Sequence, residues 1–247
     1  MMRRREFLAI GGGILVAPLL RADWSAKFQY CLLRVGSHWQ ERERALIKLS
    51  YEVQKRCNIP VEAKHATSTL RNAVEVNSPF FVISGRGSFA LPDVEEARAI
   101  RLILGSGGVL LFDDDGEAGE TSFYESAHAF MGRVYPELPG PSILPRDHAV
   151  YQSYYLLKEP RGRLNKKDYL EGWTMENRTT AFFSHNDLLG ALEADKLGNW
   201  KYNMEIGGGF RRELCFRLGI NLAYYTLTLN YKKDRAFPPI IERRRRI

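Results

Sequence analysis

Two uninterrupted apolar runs constrain the fold of this chain more than any other feature. They cover residues 80–83 and 109–112, and each leads directly into polar residues or glycines. Between them the sequence predicts a helix from Pro92 to about Leu104, because proline suits the first helical turn and the glycines of residues 105–108 end it. Continuous apolar strands are buried on both faces. The pattern therefore predicts a three-layer α/β fold, a parallel sheet with helices on both faces.

The same reasoning places further elements in a single domain over residues 27–230. Apolar runs predict strands, and apolar residues spaced three or four apart predict helices. Residues 136–168 are predicted to form a long, tyrosine-containing loop. The other predicted strands are residues 28–35, 61–65 and 179–184, and the other predicted helices are residues 41–56, 121–134 and 213–227, with a short helix from Leu188.

Polar residues concentrate where the predicted strands end. In open parallel sheets a ligand binds outside the carboxyl ends of the strands, so these residues form the candidate site. The candidate binding residues are Gly85, Arg86, Gly87, Asp113 and, on a predicted loop, His148. The candidate catalytic residues are Asp114, His185 and Asp187.

Each candidate group has a chemical and a structural interpretation. The three carboxylates of residues 113–115 can raise one another's pKa or hold a hard cation, or they can cap the amides of a following turn. Asp187 can orient the imidazole of His185 as in a hydrolytic triad, or it can cap the next helix. A zinc or iron site would need His148, His185 and Asp114 together. These three residues are scattered along the sequence, which does not favour a metal site, and the sequence requires no cofactor.

Residues 1–22 are typical of a twin-arginine export signal that is removed from the mature protein. Arg4 and Arg5 are followed by one residue and then Phe-Leu, which is the twin-arginine pattern. The apolar run from Phe7 to Leu20 has 14 residues, which is short for a hydrocarbon core of ~30 Å. An uncleaved anchor is the alternative. We therefore expect a periplasmic or other extracytoplasmic protein, with no transmembrane span in the mature chain.

The net charge of +7 comes from the two ends of the chain. Residues 1–22 carry +3 and Arg243–Arg246 carry +4, which leaves the body between them neutral. A nucleic-acid-binding domain carries its basic charge on the folded surface, so no nucleic-acid partner is expected. Residues 231–247 are predicted to be a solvated basic tail, with weak contact to an anionic membrane surface as the alternative.

Cysteine usage predicts reduced thiols. Cys31, Cys57 and Cys215 are odd in number and far apart, and they lie in apolar stretches without metal-binding spacing. A chain that folds before export does so in a reducing compartment, where disulfides are rare. We therefore expect buried structural thiols.

Six short segments form a characteristic series along the chain. They are Ser78–Gly87, Gly107–Asp115, Arg133–Glu137, Leu144–His148, Asn186–Leu188 and Leu218–Asn221. Their residues and order resemble the bacterial family catalogued as domain of unknown function 4159, over most of residues 27–225. The resemblance implies a fold similar to the flavodoxin-like sheet of class I glutamine amidotransferases, and it implies no established activity.

An amidotransferase-like fold implies particular residues at particular turns. Gly85-Arg86-Gly87 resembles the glycine-rich turn that helps to form the oxyanion hole, and residues 185–187 resemble the His-x-acid segment. The cysteine nucleophile of those enzymes lies two residues before a glycine, and here Asp114 stands two residues before Gly116. Thioester chemistry requires a thiolate, so glutaminase activity is not expected.

Two hypotheses of function follow. The first is a non-catalytic envelope domain that binds a partner protein or a small ligand through its strand-end loops. The missing nucleophile and the Tyr and Trp residues of these loops, which are favoured in recognition, motivate it. The second is a hydrolase or transferase, with or without a metal, that uses Asp114 with His185 and Asp187.

Overall fold

The computed structural model describes residues 27–228, which form an α/β domain around one seven-stranded sheet. The predicted signal, residues 1–22, and the predicted tail, residues 231–247, both lie outside the described residues. The strands are β1 (Tyr30–Leu33), β2 (Ala66–Ser68), β3 (Phe80–Gly85), β4 (Val109–Asp114), β5 (Ser142–Ile143), β6 (Glu171–Met175) and β7 (Arg178–Ser184). The helices are α1 (Glu43–Cys57), α2 (Val94–Gly105), α3 (Ser122–Val134), α4 (Leu188–Leu192) and α5 (Gly208–Thr228).

The sheet is mixed, so the prediction of a wholly parallel sheet is correct for only part of it. The strand order is β2-β1-β3-β4-β7-β6-β5, and the first five strands of this order are parallel. β6 pairs with β7 in antiparallel orientation, and β5 pairs with β6 in antiparallel orientation. β6 ends at Met175 and β7 begins at Arg178, and Glu176 in the turn between them has φ 54°. A two-residue turn of this kind returns the chain antiparallel to itself.

Helices cover both faces of the sheet because successive strand residues point to opposite sides. Tyr30 and Leu32 of β1 join a core with α1, α4 and α5. Cys31 and Leu33 join a second core with α2 and α3. The central strands β3 and β4 are buried along their whole length, as their continuous apolar runs predict.

Several element boundaries differ from the prediction. The second strand is Ala66–Ser68, whereas within residues 61–65 only Val61 forms a bridge, to Phe28. The second helix begins after Asp93, whose carboxylate and Glu96 form a capping box, so Pro92 lies just before the cap. Across residues 27–228 no helix is long and apolar enough to cross a membrane.

Candidate functional site

The fold brings three of the predicted polar segments to one edge of the sheet. Ser84 of β3 is aligned with Asp113 of β4, and Asp113 is aligned with Ser184 of β7. The residues that follow these positions therefore meet at the carboxyl ends of adjacent strands. These are residues 85–87, 114–116 and 185–187.

Asp113 holds the beginning of α4 in place. Its carboxylate is buried and accepts hydrogen bonds from the backbone N–H groups of Leu188 (2.8 Å) and Leu189 (2.7 Å). Burial raises the pKa of Asp113 to about 7, and the negative charge of Asp187 acts in the same direction. Both carboxylate oxygens are used inside the protein, so Asp113 has a structural role here.

Asp187 caps α4, which is the structural one of its two predicted roles. It has a left-handed backbone (φ 51°) and accepts a hydrogen bond from the N–H of Gly190 at 2.8 Å. The same carboxylate accepts a hydrogen bond from Nε of Arg42 at 3.0 Å and another from Nε of Arg163. It is completely buried, and two guanidinium groups balance its charge.

Arg42 connects three elements at this edge and was not among the predicted site residues. It lies at the N-cap of α1, it is 2% exposed, and its Nη2 is 2.8 Å from Oδ2 of Asp115. Its guanidinium lies 4.0 Å from the ring centroid of Tyr202 and donates a hydrogen bond to that hydroxyl at 2.5 Å. No motif surrounds Arg42, and apart from Glu41 the partners of its side chain are distant in sequence, so no local signal indicated its position.

Asp114 is paired with a lysine from the long loop. Nζ of Lys166 donates to Oδ2 of Asp114 at 2.7 Å and to the carbonyl of Gly116 at 3.0 Å. The other carboxylate oxygen accepts the N–H of Gly116 at 2.9 Å. Asp114 is 4% exposed, so the residue at the nucleophile position is neutralised and nearly covered.

Arg86 lies at the rim of the site, where it is partly exposed. Its guanidinium makes a two-pronged contact with Glu41, with Nη1 to Oε2 at 2.9 Å and Nη2 to Oε1 at 3.1 Å. Nδ1 of His38 is 2.7 Å from the same carboxylate. The Arg86 hydrogen bond lowers the pKa of Glu41 to about 2, and His38 adds to this shift. Arg86 is therefore held between Glu41 and, at 3.4 Å, Asp115.

The glycine turn beside Arg86 is closed by an internal acceptor. Gly85 and Gly87 have φ values of 155° and 69°, which favour glycine. The N–H of Gly87 donates to Oε1 of Glu120 at 2.9 Å. This amide therefore has a carboxylate partner within the protein.

The imidazole of His185 is bonded to an acid other than Asp187. Its Nε2 lies 3.2 Å from Oε1 of Glu171, and the hydroxyl of Tyr124 donates to the other oxygen of Glu171 at 2.8 Å. The ring of His185 packs against Phe183 with 4.7 Å between centroids. Glu171 lies on β6, which was not predicted as a strand, so this partner was not predicted.

His148 lies apart from the other candidates. Its Nε2 is 3.1 Å from Oγ1 of Thr179, and its Nδ1 accepts the N–H of Val150 at 3.1 Å. Thr179 is near the start of β7, and the strand rise puts it roughly 17 Å from the carboxyl end at Ser184. His148 is 3% exposed, so the structure places it in the core at the opposite end of the sheet.

Two further features complete the description of the site. Within residues 27–228 no group of His, Cys, Asp and Glu side chains is arranged to hold a metal ion. A groove of about 200 Å³ lies beside β5, and its walls include Tyr151, Lys158 and Tyr169. The ring of Tyr169 also packs edge-on against His185, with 5.8 Å between centroids.

Comparison with known proteins identifies one family. The sequence profile described as "Domain of unknown function (DUF4159)" matches residues 26–227. The match spans the whole sheet and every candidate site residue. None of the curated proteins compared with this chain matches it.

Proposed function

The chain belongs to the family described as domain of unknown function (DUF4159), and we propose that it is an exported, non-catalytic domain. In this proposal it binds an envelope protein or a small ligand through the loops at the carboxyl ends of its strands. The observation that carries the proposal is the state of the four strand-end carboxylates. Each of them is neutralised or hydrogen-bonded by groups of the same chain.

A carboxylate that acts as a nucleophile or a base must reach its substrate. Asp114 forms an ion pair with Lys166, and Asp115 forms one with Arg42. Asp187 forms ion pairs with both Arg42 and Arg163. Asp113 is occupied by two amides of α4. None of the four is more than 5% exposed. No strand-end carboxylate is therefore free to act on a substrate, and this arrangement supports recognition at the strand ends and their loops in place of catalysis.

The strand order supports an assignment to the flavodoxin-like arrangement. The parallel strands follow the order β2-β1-β3-β4-β7, which corresponds to the 2-1-3-4-5 order of doubly wound sheets of that type. Within such a fold the cysteine needed for glutaminase chemistry has no counterpart. Cys31 lies in β1, Cys57 at the end of α1 and Cys215 in α5. The fold is thus proposed as a scaffold for binding.

Export is the second part of the proposal, and the sequence of residues 1–22 supports it. The positive start, the twin arginines and the short apolar run together are typical of a secretory signal. Export would place the strand-end loops where envelope proteins can reach them.

Site-specific photocrosslinking tests the binding proposal. Ser37 and Ser88 are exposed residues that follow β1 and β3, whereas Ser106 is exposed at the opposite end of the sheet, just before β4. A photoreactive amino acid at Ser37 or Ser88 is expected to capture the same partner in cells, and one at Ser106 is the matched control. Products from Ser106 alone, or no product from any position, would contradict the proposal.

The second candidate function is a hydrolase or transferase, with or without a metal, that uses Asp114 with His185 and Asp187. The hydrogen bond between His185 and Glu171 favours it, because an acid beside an imidazole is the arrangement of a general base. If the protein is such an enzyme, His185→Ala should cause the same cellular defect as deletion of the gene, while the fold and the crosslinks stay intact. If the protein is a binding domain, cells with a folded His185→Ala variant should behave as cells with the unmodified protein do.

A further inference from the structure

Residues 161–166, called the strap here, cross the carboxyl ends of β4 and β7. The backbone N–H groups of Arg163 and Leu164 donate to the carbonyls of Asp187 (3.1 Å) and Asn186 (2.9 Å). A Cβ atom on Gly162 would lie only 2.0 Å from the carbonyl oxygen of Asn186. Glycine at this position therefore lets the strap lie directly on the strand ends, in the place where an open sheet of this kind receives a ligand.

The strap is basic and the surface beneath it is acidic. Within the strap, Arg161, Arg163 and Lys166 are positive and no residue is negative. Lys166 binds Asp114, and Arg163 binds Asp187. These contacts show which chemical groups the strand ends accept, namely an ammonium and a guanidinium.

Polar contacts hold the strap, with little support from apolar packing. Leu164 is its only apolar side chain, and it is half-buried. The strap is also bound by Arg211, whose Nη2 donates to the carbonyl of Leu164 at 2.7 Å, and by Glu205, which accepts the N–H of Asn165 at 2.6 Å. Segments with few buried apolar contacts open locally at a lower free energy than the core.

We propose that the strap is a displaceable plug over the binding crevice. It opens by local unfolding and makes way for a basic peptide segment. Lys or Arg side chains of that segment take the places of Lys166 on Asp114 and of Arg163 on Asp187. This inference rests on the proposed binding function and specifies the chemistry of its partner.

Hydrogen exchange tests the opening of the strap in the intact protein. The amides of Leu164 and Lys166 bond to Asn186, and they are expected to exchange at least about tenfold faster than the paired amides of β3 and β4. Their exchange should accelerate at high salt, because salt weakens the ion pairs below the strap. If these two amides exchange at the same rate as those of β3 and β4, and salt has no effect, the proposal that the strap opens is wrong.

Tetralysine tests the class of partner, with tetraglutamate as the opposite charge. Lys166→Gln is expected to bind tetralysine at least about tenfold more tightly than the unmodified protein, because the crevice is open for a larger fraction of time. Lys167→Gln removes the same charge from an exposed side chain next to the strap, and it should bind as the unmodified protein does. Adding Asp114→Asn to Lys166→Gln should remove the gain.

Equal tetralysine affinity of the two lysine variants, or equal binding of tetraglutamate, would overturn the assignment of a basic partner. The exchange measurement remains decisive if Lys166→Gln fails to fold, because it uses the unmodified chain. Failure of the strap is also distinguishable from failure of the binding function. The crosslinking positions Ser37 and Ser88 lie outside the strap and report on the loops after β1 and β3.

Discussion

Asp113, Asp114 and Asp115 follow one another in the chain, yet their carboxylates meet three different sets of partners. Asp113 binds the amides of α4, Asp114 binds Lys166, and Asp115 binds Arg42. The reason is the geometry of an extended chain, in which successive side chains point to opposite sides. Three adjacent acids therefore serve as three separate anchors, and each neutralises or orients a different segment.

The pH dependence of stability should report on Asp113. Because burial raises its pKa in the folded protein to about 7 from an ordinary value of 3.8, the folded state holds a proton that the unfolded chain releases. The stabilisation from that proton is fully present below the unfolded pKa and is lost as the pH rises through the folded pKa. The stability advantage of the unmodified protein over Asp113→Asn should therefore shrink between about pH 4 and pH 7.

Urea unfolding of both proteins across this pH range measures the effect. The loss of one amide acceptor in Asp113→Asn lowers its stability at every pH, so only the change of the difference with pH is informative. A difference that stays constant from acidic to neutral pH would show that folding does not raise the pKa of Asp113.

Elements in the centre of the sheet are the part of this fold that local sequence predicts. β3, β4, α2 and α3 were predicted to within a few residues, because continuous apolar runs and glycine or proline boundaries determine them. β6 was missed because its sequence, Glu-Gly-Trp-Thr-Met, begins with two weak strand formers. It is a strand because the hairpin with β7 and the burial of Trp173 stabilise it.

The location of the candidate site could be predicted from the sequence, whereas the pairing of its side chains could not. The strand-end rule located Arg86, Asp114 and Asp187, and helix capping by Asp187 was one of the stated alternatives. Arg42 and Lys166 could not be found, because their partners lie 145 and 52 residues away. Such contacts exist only after α1 and the long loop have packed against the sheet.

Arg42 joins α1, β4 and α4, so its removal should weaken the packing of all three elements. Arg42→Met leaves Asp115 and Asp187 buried with fewer compensating charges, and breaking a buried ion pair in this way costs about 3–5 kcal/mol. Arg98→Met is the control, because Arg98 and Glu95 form an ion pair with side chains 72% and 56% exposed. Such surface pairs contribute about 0–1 kcal/mol.

Urea unfolding at neutral pH compares the two arginine variants with the unmodified protein. A free energy of unfolding for Arg42→Met close to that of Arg98→Met would mean that Arg163, Arg86 and solvent already compensate the two buried aspartates. The position of Arg42 would then be a consequence of the fold, with little contribution to its stability.

The charge of the whole molecule is distributed so that its folded body is nearly uncharged. The net +7 resides in residues 1–22 and in Arg243–Arg246, and the acidic strand ends are balanced inside the domain. Removal of residues 1–22 would therefore leave a neutral body with basic residues at the opposite end. The electrostatic attraction of a basic partner, as proposed for the strap, then depends on local carboxylates and not on net charge.

The proposed export of a chain that is already folded predicts reduced cysteines. Cys31, Cys57 and Cys215 are free thiols, and burial raises the pKa of Cys31 and of Cys215 to about 12. Protein recovered from outside the cytoplasm, unfolded and alkylated, should have the intact mass of residues 23–247 with three alkyl groups.

Changing Arg4 and Arg5 to lysine should keep the full-length chain in the cytoplasm. A mature chain that begins at Met1 or Met2 would contradict cleavage of the signal, and fewer than three alkyl groups would contradict folding in a reducing compartment.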